Sequence, residues 1–380
     1  MLALVIAAAL AAQQPKVDYA GDAQALDRII VLNYAYEDHW PRGVLPDSPT
    51  LAAERAAVHD QRSLLRYAED RMTSLADHHA ITGSSFKDSW AVVPTYADLW
   101  VERRHGQYVI DAVRDGSPAA LAAIRPGDLL AAVGGVPIEK AVAGFWNQLG
   151  LSVTPERADY AARVLAAGRR DRPRQLTIAQ GGRERVLTLP NLYANSPDRP
   201  LLSVNRAAPR IVIRFNNSLG DQKTIAAFDR AMAALKRKTP LLIDLTDTPS
   251  GGNTSVARAI MGWFVDRPRS YQVHRLPSEE RETGIPRQWI EQVLPRSGKY
   301  HARLPVVRVG RWTGSMGEGL AIGFAALGAR VEGTRMAGLK GAVYDFSLPS
   351  SGMTVKLPAE RLYTVDGLPR EKFVPKLPRD

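Results

Sequence analysis

The chain has 380 residues, 45% of them hydrophobic, and a net charge of +11 from 50 Lys and Arg against 39 Asp and Glu. That length exceeds one ordinary domain and suffices for two or three hydrophobic cores. The absence of cysteine excludes disulfides, thiolate metal sites and cysteine nucleophiles. The His residues form no ligand-spaced pair of clusters, so neither a metal nor an organic cofactor is expected. The positive charges are scattered rather than interleaved with aromatics, so nucleic-acid binding is not expected. Such a surface does allow weak attraction to anionic membranes.

Residues 1–14 are an apolar run ending in Ala11-Ala12-Gln13-Gln14. This pattern is that of a secretory signal peptide, and it is too short to span a bilayer. It predicts export to the periplasm or outside the cell, although no Lys or Arg precedes the apolar run. Residues 20–88 read as a helical cap region. Leu26, Ile29, Ile30 and Leu32 begin its first helix, and two more helices are expected over residues 48–60 and 61–75. The region ends at Asp77-His78-His79, with His78 expected to face solvent.

Residues 89–195 change character. Short β-like pieces (90–93, 99–103, 108–113) precede Gly116-Ser117-Pro118-Ala119 and Arg125-Pro126-Gly127-Asp128. Ser117 with Pro118 starts a short helix, and Gly134-Gly135 makes a hairpin turn. This run resembles a PDZ domain of the kind attached to periplasmic proteases. Strands at 175–179 and 185–189 close it, and the helical stretch 143–170 reads as an insertion.

Strand and helix alternate over residues 205–380, which argues an α/β layer. Leu241 to Leu245 is a continuous apolar run, as in a buried parallel strand. The loop after it carries Pro249-Ser250-Gly251-Gly252, whose glycines let backbone N–H groups approach a ligand. A strand at 305–309 runs into Gly314-Ser315-Met316-Gly317-Glu318 and then an apolar helix. A Ser hydroxyl at a strand-to-helix turn can act as a nucleophile beside N–H groups that hold an oxyanion. The same residues also spell a capping box. Residues 272–300 are polar and read as an exposed excursion, or as a cover over the site. Trp263, Trp289 and Tyr300 read as packing residues.

The order of helical segment, PDZ-like run, Gly-Gly loop and Ser-x-x-Glu helix resembles the tail-specific (C-terminal processing) serine peptidases and their tricorn-core relatives, from about residue 75 to 375. The resemblance implies a helical cap, a PDZ domain and a crotonase/ClpP-like α/β core. It implies Ser315 as nucleophile, with oxyanion N–H groups from Gly251 or Gly252 and from Met316. Two bases are implied by two branches. One branch uses a Lys, here Lys340, 25 residues after Ser315; its helper Gln is replaced by Tyr344. The other uses a His in Asp-x-His, here His79, with Glu371 orienting it. The reading leans to His79. The expected partners are proteins or peptides with free C-termini, captured by strand addition of apolar tails. A catalytically inactive PDZ-containing scaffold is the alternative, and a crotonase-like enzyme acting on acyl thioesters is a third reading on the same core.

Overall fold

A computed structural model describes residues 17–193, 199–207 and 210–375. The stretch read as a leader, residues 1–14, lies outside the described residues. The first helices are Tyr19–Asn33, Pro49–Ala56 and Gln61–Ser74. Each starts on a side-chain cap: Asp18, Ser48 with Pro49 behind it, and Asp60 in a capping box with Ser63. Leu26, Ile30, Leu64 and Met72 pack together, and Leu348, Val355 and Leu357 from the far end of the chain join the same cluster. The helical region is therefore built onto the C-terminal core. The backbone joins them too, because Ile81–Thr82 pairs with the long strand Thr354–Tyr363.

The next unit is a sheet in the order Leu99–Arg104, Gln107–Val113, Leu129–Val133, Arg174–Gln180, Arg183–Leu189. Ser117 caps a short helix at Pro118, and the Gly134-Gly135 turn has positive φ at both glycines, as expected. The helical stretch read as an insertion is the end of one helix, Ile138–Asn147, and a second, Pro155–Ala167. Both bury large side chains, Trp146 and Tyr160 among them, against the sheet. The expected strand at 90–93 is reduced to one bridge between Trp90 and Arg169.

The core holds two further sheets. One has the order Arg330–Gly333, Val306–Val309, Leu241–Asp244, Ile211–Phe215, Leu202–Asn205, and is parallel except for its last member. All four residues of Leu241–Asp244 are buried, which is why that run reads as continuously apolar. Helices Lys223–Ala233, Thr254–Met261 and Met316–Ala326 contribute to its core. The other sheet is antiparallel and joins Ile81–Thr82, Thr354–Tyr363, Arg269–Arg275 and Gln288–Val293, with Ala342–Ser347 also paired to Thr354–Tyr363. Of the stretch 272–300, expected as an exposed excursion or a cover over the site, residues 281–288 are exposed, but its start is not. Arg269–Arg275 is an inner strand, with Tyr271, Gln272, Val273 and His274 all buried. Its polar residues face a cavity and bond to one another, so their polarity reflects a polar wall and not exposure. Among the described residues no helix is long and apolar enough to cross a membrane.

Candidate active site

Strands Leu241–Asp244 and Val306–Val309 are parallel neighbours, so the loops leaving their C-terminal ends lie side by side. In open α/β sheets this is where ligands bind. The backbone pairing continues past the strands: Thr248 N–H donates to Trp312 C=O at 2.9 Å and Gly314 N–H to Thr248 C=O at 3.2 Å. The Gly-Gly loop and the Ser315 turn are thereby held against each other.

Ser315 has φ +49° and ψ −114°. An ordinary N-cap residue has extended backbone with negative φ. A non-glycine residue held in this region stores strain, which persists only where the surroundings enforce it. Gly251 is part of that enforcement. A Cβ on Gly251 would lie 2.4 Å from Ser315 Cβ and 2.8 Å from Met316 N, and its φ is +64°. Only glycine fits there. Gly251 N–H donates to Thr248 C=O at 3.1 Å, which closes the turn. Among the described residues, the N–H groups of Gly252 and Met316 have no hydrogen-bond acceptor. Of the three positions the sequence proposed as oxyanion donors, these two have an N–H to offer, and Gly251 supplies the close approach. The helix start adds positive potential.

Glu318 is fully buried and binds three N–H groups: Ser315 at 2.9 Å, Gly338 at 2.9 Å and Leu339 at 3.1 Å. Burial pushes its carboxyl up to about 7, against the pull of Arg370 and these N–H groups. Arg370, 2% exposed, spans the same loop by donating to the carbonyls of Leu339 and Gly341, both at 2.8 Å. The loop 337–341 is thus clamped by a carboxylate on one side and a guanidinium on the other.

That loop connects Ser315 to His79. Ala337 N–H donates to Thr313 C=O at 3.0 Å, and the carbonyl of Lys340 lies 2.7 Å from His79 Nδ1. A carbonyl only accepts, so Nδ1 carries the proton and Nε2 the lone pair. Burial lowers the His79 pKa to about 4, with the carbonyl bond opposing it. The imidazole is neutral at neutral pH. Asp77 fixes the turn beneath it, accepting His79 N–H at 2.9 Å and the Tyr34 hydroxyl at 2.8 Å. His78, expected in solvent, instead stacks on Tyr160 at 4.4 Å and bonds to the Val92 carbonyl at 2.6 Å. Ala76, just before this segment, has φ +50°, and the two His side chains meet different partners.

Lys340 points elsewhere. Its ammonium lies 3.5 Å from the Tyr34 hydroxyl and 5.7 Å from the Tyr36 ring, in a cavity shared with His39, Trp40 and Arg157. Glu371 lies near Tyr36, with one carboxylate oxygen buried and unpartnered. Among the described residues, no hydrogen bond joins Ser315 to His79 or Lys340, or His79 to Glu371.

Ser315 opens into a cavity of about 390 Å³. Its far wall is made by His274, Trp289 and Glu291, from the stretch read as an excursion or a cover, with Tyr344 and Glu360; His274, Glu291 and Glu360 were not singled out in the sequence. His274 Nδ1 lies 2.8 Å from Glu360 and Nε2 3.1 Å from Glu291. Burial alone would lower the His274 pKa, but the two carboxylates outweigh it and hold it up at about 9. Trp289 stacks on the ring at 5.0 Å. Tyr344, at the position of the expected helper Gln, donates to Glu360. Glu360 lies 86 residues from His274 in sequence, and only the strand register brings them together. Nothing local to either residue signals the pair. Asp247 is buried and receives Arg114, Arg199 and Arg214.

No protein-family model matches the chain, and no curated protein matches it. Solved structures do. A photosystem II D1 C-terminal processing protease matches with TM-score 0.57 and 15% identity, over 96% of this chain and 94% of that one. Mature CPAF matches with TM-score 0.58 and 14% identity, over 95% and 92%. A putative peptidase from Parabacteroides merdae matches with TM-score 0.50 and 14% identity, over 95% and 90%. The chain shares the mixed α/β fold of these proteins along nearly its whole length.

Proposed function

We propose that this protein is a serine endopeptidase that cleaves proteins or peptides, with Ser315 as nucleophile and His79 as general base. The observation that carries the reading is the Ser315 turn: a residue forced to positive φ against Gly251, at the start of a buried helix, beside two N–H groups without acceptors among the described residues. A cap alone needs none of this strain. The fold shared with processing proteases supports the same class.

In this reading Ser315 Oγ attacks a peptide carbonyl, and the N–H groups of Gly252 and Met316 receive the oxygen as it gains charge. His79 Nε2 takes the hydroxyl proton and returns it to the leaving amine, and water then hydrolyses the acyl-enzyme. The electrostatics favour His79 over the other groups near the site. A neutral imidazole with a free lone pair accepts a proton; an imidazolium at His274 does not. The Lys340 ammonium faces a different cavity. Catalytic bonds are often long before substrate binds, so the missing Ser315–His79 bond is compatible with a turn that tightens on loading. The same gap favours a second reading, an inactive scaffold.

Labelling with a fluorophosphonate probe separates the two. The peptidase reading expects labelling that Ser315→Ala abolishes and His79→Ala strongly reduces. A folded protein that never reacts, with or without substrate peptides present, supports the scaffold. We further propose export, from the apolar residues 1–14; the test is whether the mature protein is recovered outside the cytoplasm with a trimmed N-terminus.

A further inference from the structure

Leu99–Arg104 is one of the two terminal strands of its sheet, Arg183–Leu189 being the other. An edge strand presents backbone N–H and C=O groups to which a peptide can add as a further strand. Alternate residues present these groups on the same side, so Val101 and Arg103 share the outer edge. Both already have bonds outside the sheet. Arg163 Nε donates to Val101 C=O at 3.1 Å, and Arg103 N–H donates to Asp159 at 2.6 Å. Asp159 and Arg163 stand one turn apart on helix Pro155–Ala167 and lie 3.7 Å from each other. The Arg163 guanidinium also covers the Trp100 ring at 4.7 Å. A carboxylate and a guanidinium thus stand where a peptide's carbonyl and N–H would stand.

The same unit is fastened to both candidate catalytic loops. Arg311 pairs with Glu102 and, at 2.7 Å, with Asp111. Trp312 Nε1 donates to Ala97 C=O at 2.8 Å, and its ring meets Trp100 edge-on at 6.3 Å. Arg114 reaches Asp247 at 2.7 Å, and the Thr95 and Ser250 hydroxyls lie 2.8 Å apart.

We infer that Asp159 and Arg163 form a latch that closes this edge, so that substrates are selected at the Ser315 cavity and not by capture of a free C-terminal tail. The β unit acts as a buttress for the two loops. This departs from the tail capture that the sequence resemblance implies. It rests on the peptidase reading only for where substrates are chosen.

The test is binding to Ser315→Ala protein, so that turnover plays no part. The probe is a dye-labelled hexapeptide with apolar C-terminal residues and a free carboxylate, followed by fluorescence anisotropy. With the latch intact, no saturable binding is expected below about 1 mM. With Asp159→Ala and Arg163→Ala together, binding is expected to tighten at least about tenfold, because the competent edge is no longer a minor state. Hydrogen exchange at the Arg103 amide rises in step. Saturable micromolar binding to the latched protein overturns the inference. So does a folded double variant that gains no binding. If the double variant does not fold, Asp159→Ala alone carries the same two readouts. For an active enzyme, amidating a substrate's C-terminus is expected to change kcat/KM less than about twofold, and a loss of about tenfold or more contradicts the latch. Failure of the peptidase reading removes only this last arm.

Discussion

His79 bonds to the loop 337–341 and His274 lines the Ser315 cavity, and their surroundings leave the first neutral and the second charged. His79 meets a backbone carbonyl in a buried turn, and burial lowers it to about 4. His274 meets two carboxylates, and they hold it at about 9. The side chain is the same; the acceptor differs. At His79 one carbonyl bond favours the charged ring less than burial disfavours it, whereas at His274 two carboxylates outweigh burial. The first arrangement leaves a usable base. The second makes a polar wall whose charges are matched.

The contrast can be broken by mutation. Ser315→Ala is expected to abolish fluorophosphonate labelling altogether, as mass spectrometry of the intact protein would register. His79→Ala is expected to slow labelling by ~10²–10⁴-fold, the usual worth of a positioned base. Glu318→Gln comes next. It weakens bonds to three N–H groups at once, and a loss of roughly tenfold or more in labelling rate is expected from bonds to a charged acceptor. Its thermal effect should depend on pH. The folded pKa is raised, so wild-type stability falls as pH rises from the ordinary glutamate range through about 7. Glu318→Gln should remove that fall, which melting curves at pH 5 and 8 would detect. His274→Gln should change labelling less than about threefold, and Lys340→Met less still, since neither group supplies the base. A large loss in Lys340→Met, in a folded protein, would reverse the assignment.

Much of this was visible in the sequence where the signal is local. Ser117-Pro118 and the Gly134-Gly135 hairpin follow from capping and turn chemistry. The apolar run 241–245 announces a buried parallel strand. Ser315 and the Gly-Gly loop stood out because glycines crowd a strand-to-helix turn. What stayed hidden depends on register between distant strands. His274 and Glu360 meet through pairing of Arg269–Arg275 with Thr354–Tyr363, and a polar inner strand looks like a loop until its partners are known. The side on which Lys340 emerges was also illegible. The family resemblance implies a base at its position, but Tyr34 and Tyr36 take its ammonium into another cavity. The partners of Asp247 were illegible too, because the three arginines that converge on it are far from it in sequence.

The most direct test of the account is the pH dependence of Ser315 labelling between pH 3 and 10, restricted to the range where circular dichroism shows a folded protein. A neutral, partly buried His79 predicts a rate that rises through an acid limb near pH 4 and is level across neutrality. A rate that begins to rise only above pH 8 would contradict it, because that is the signature of a base still protonated at neutral pH.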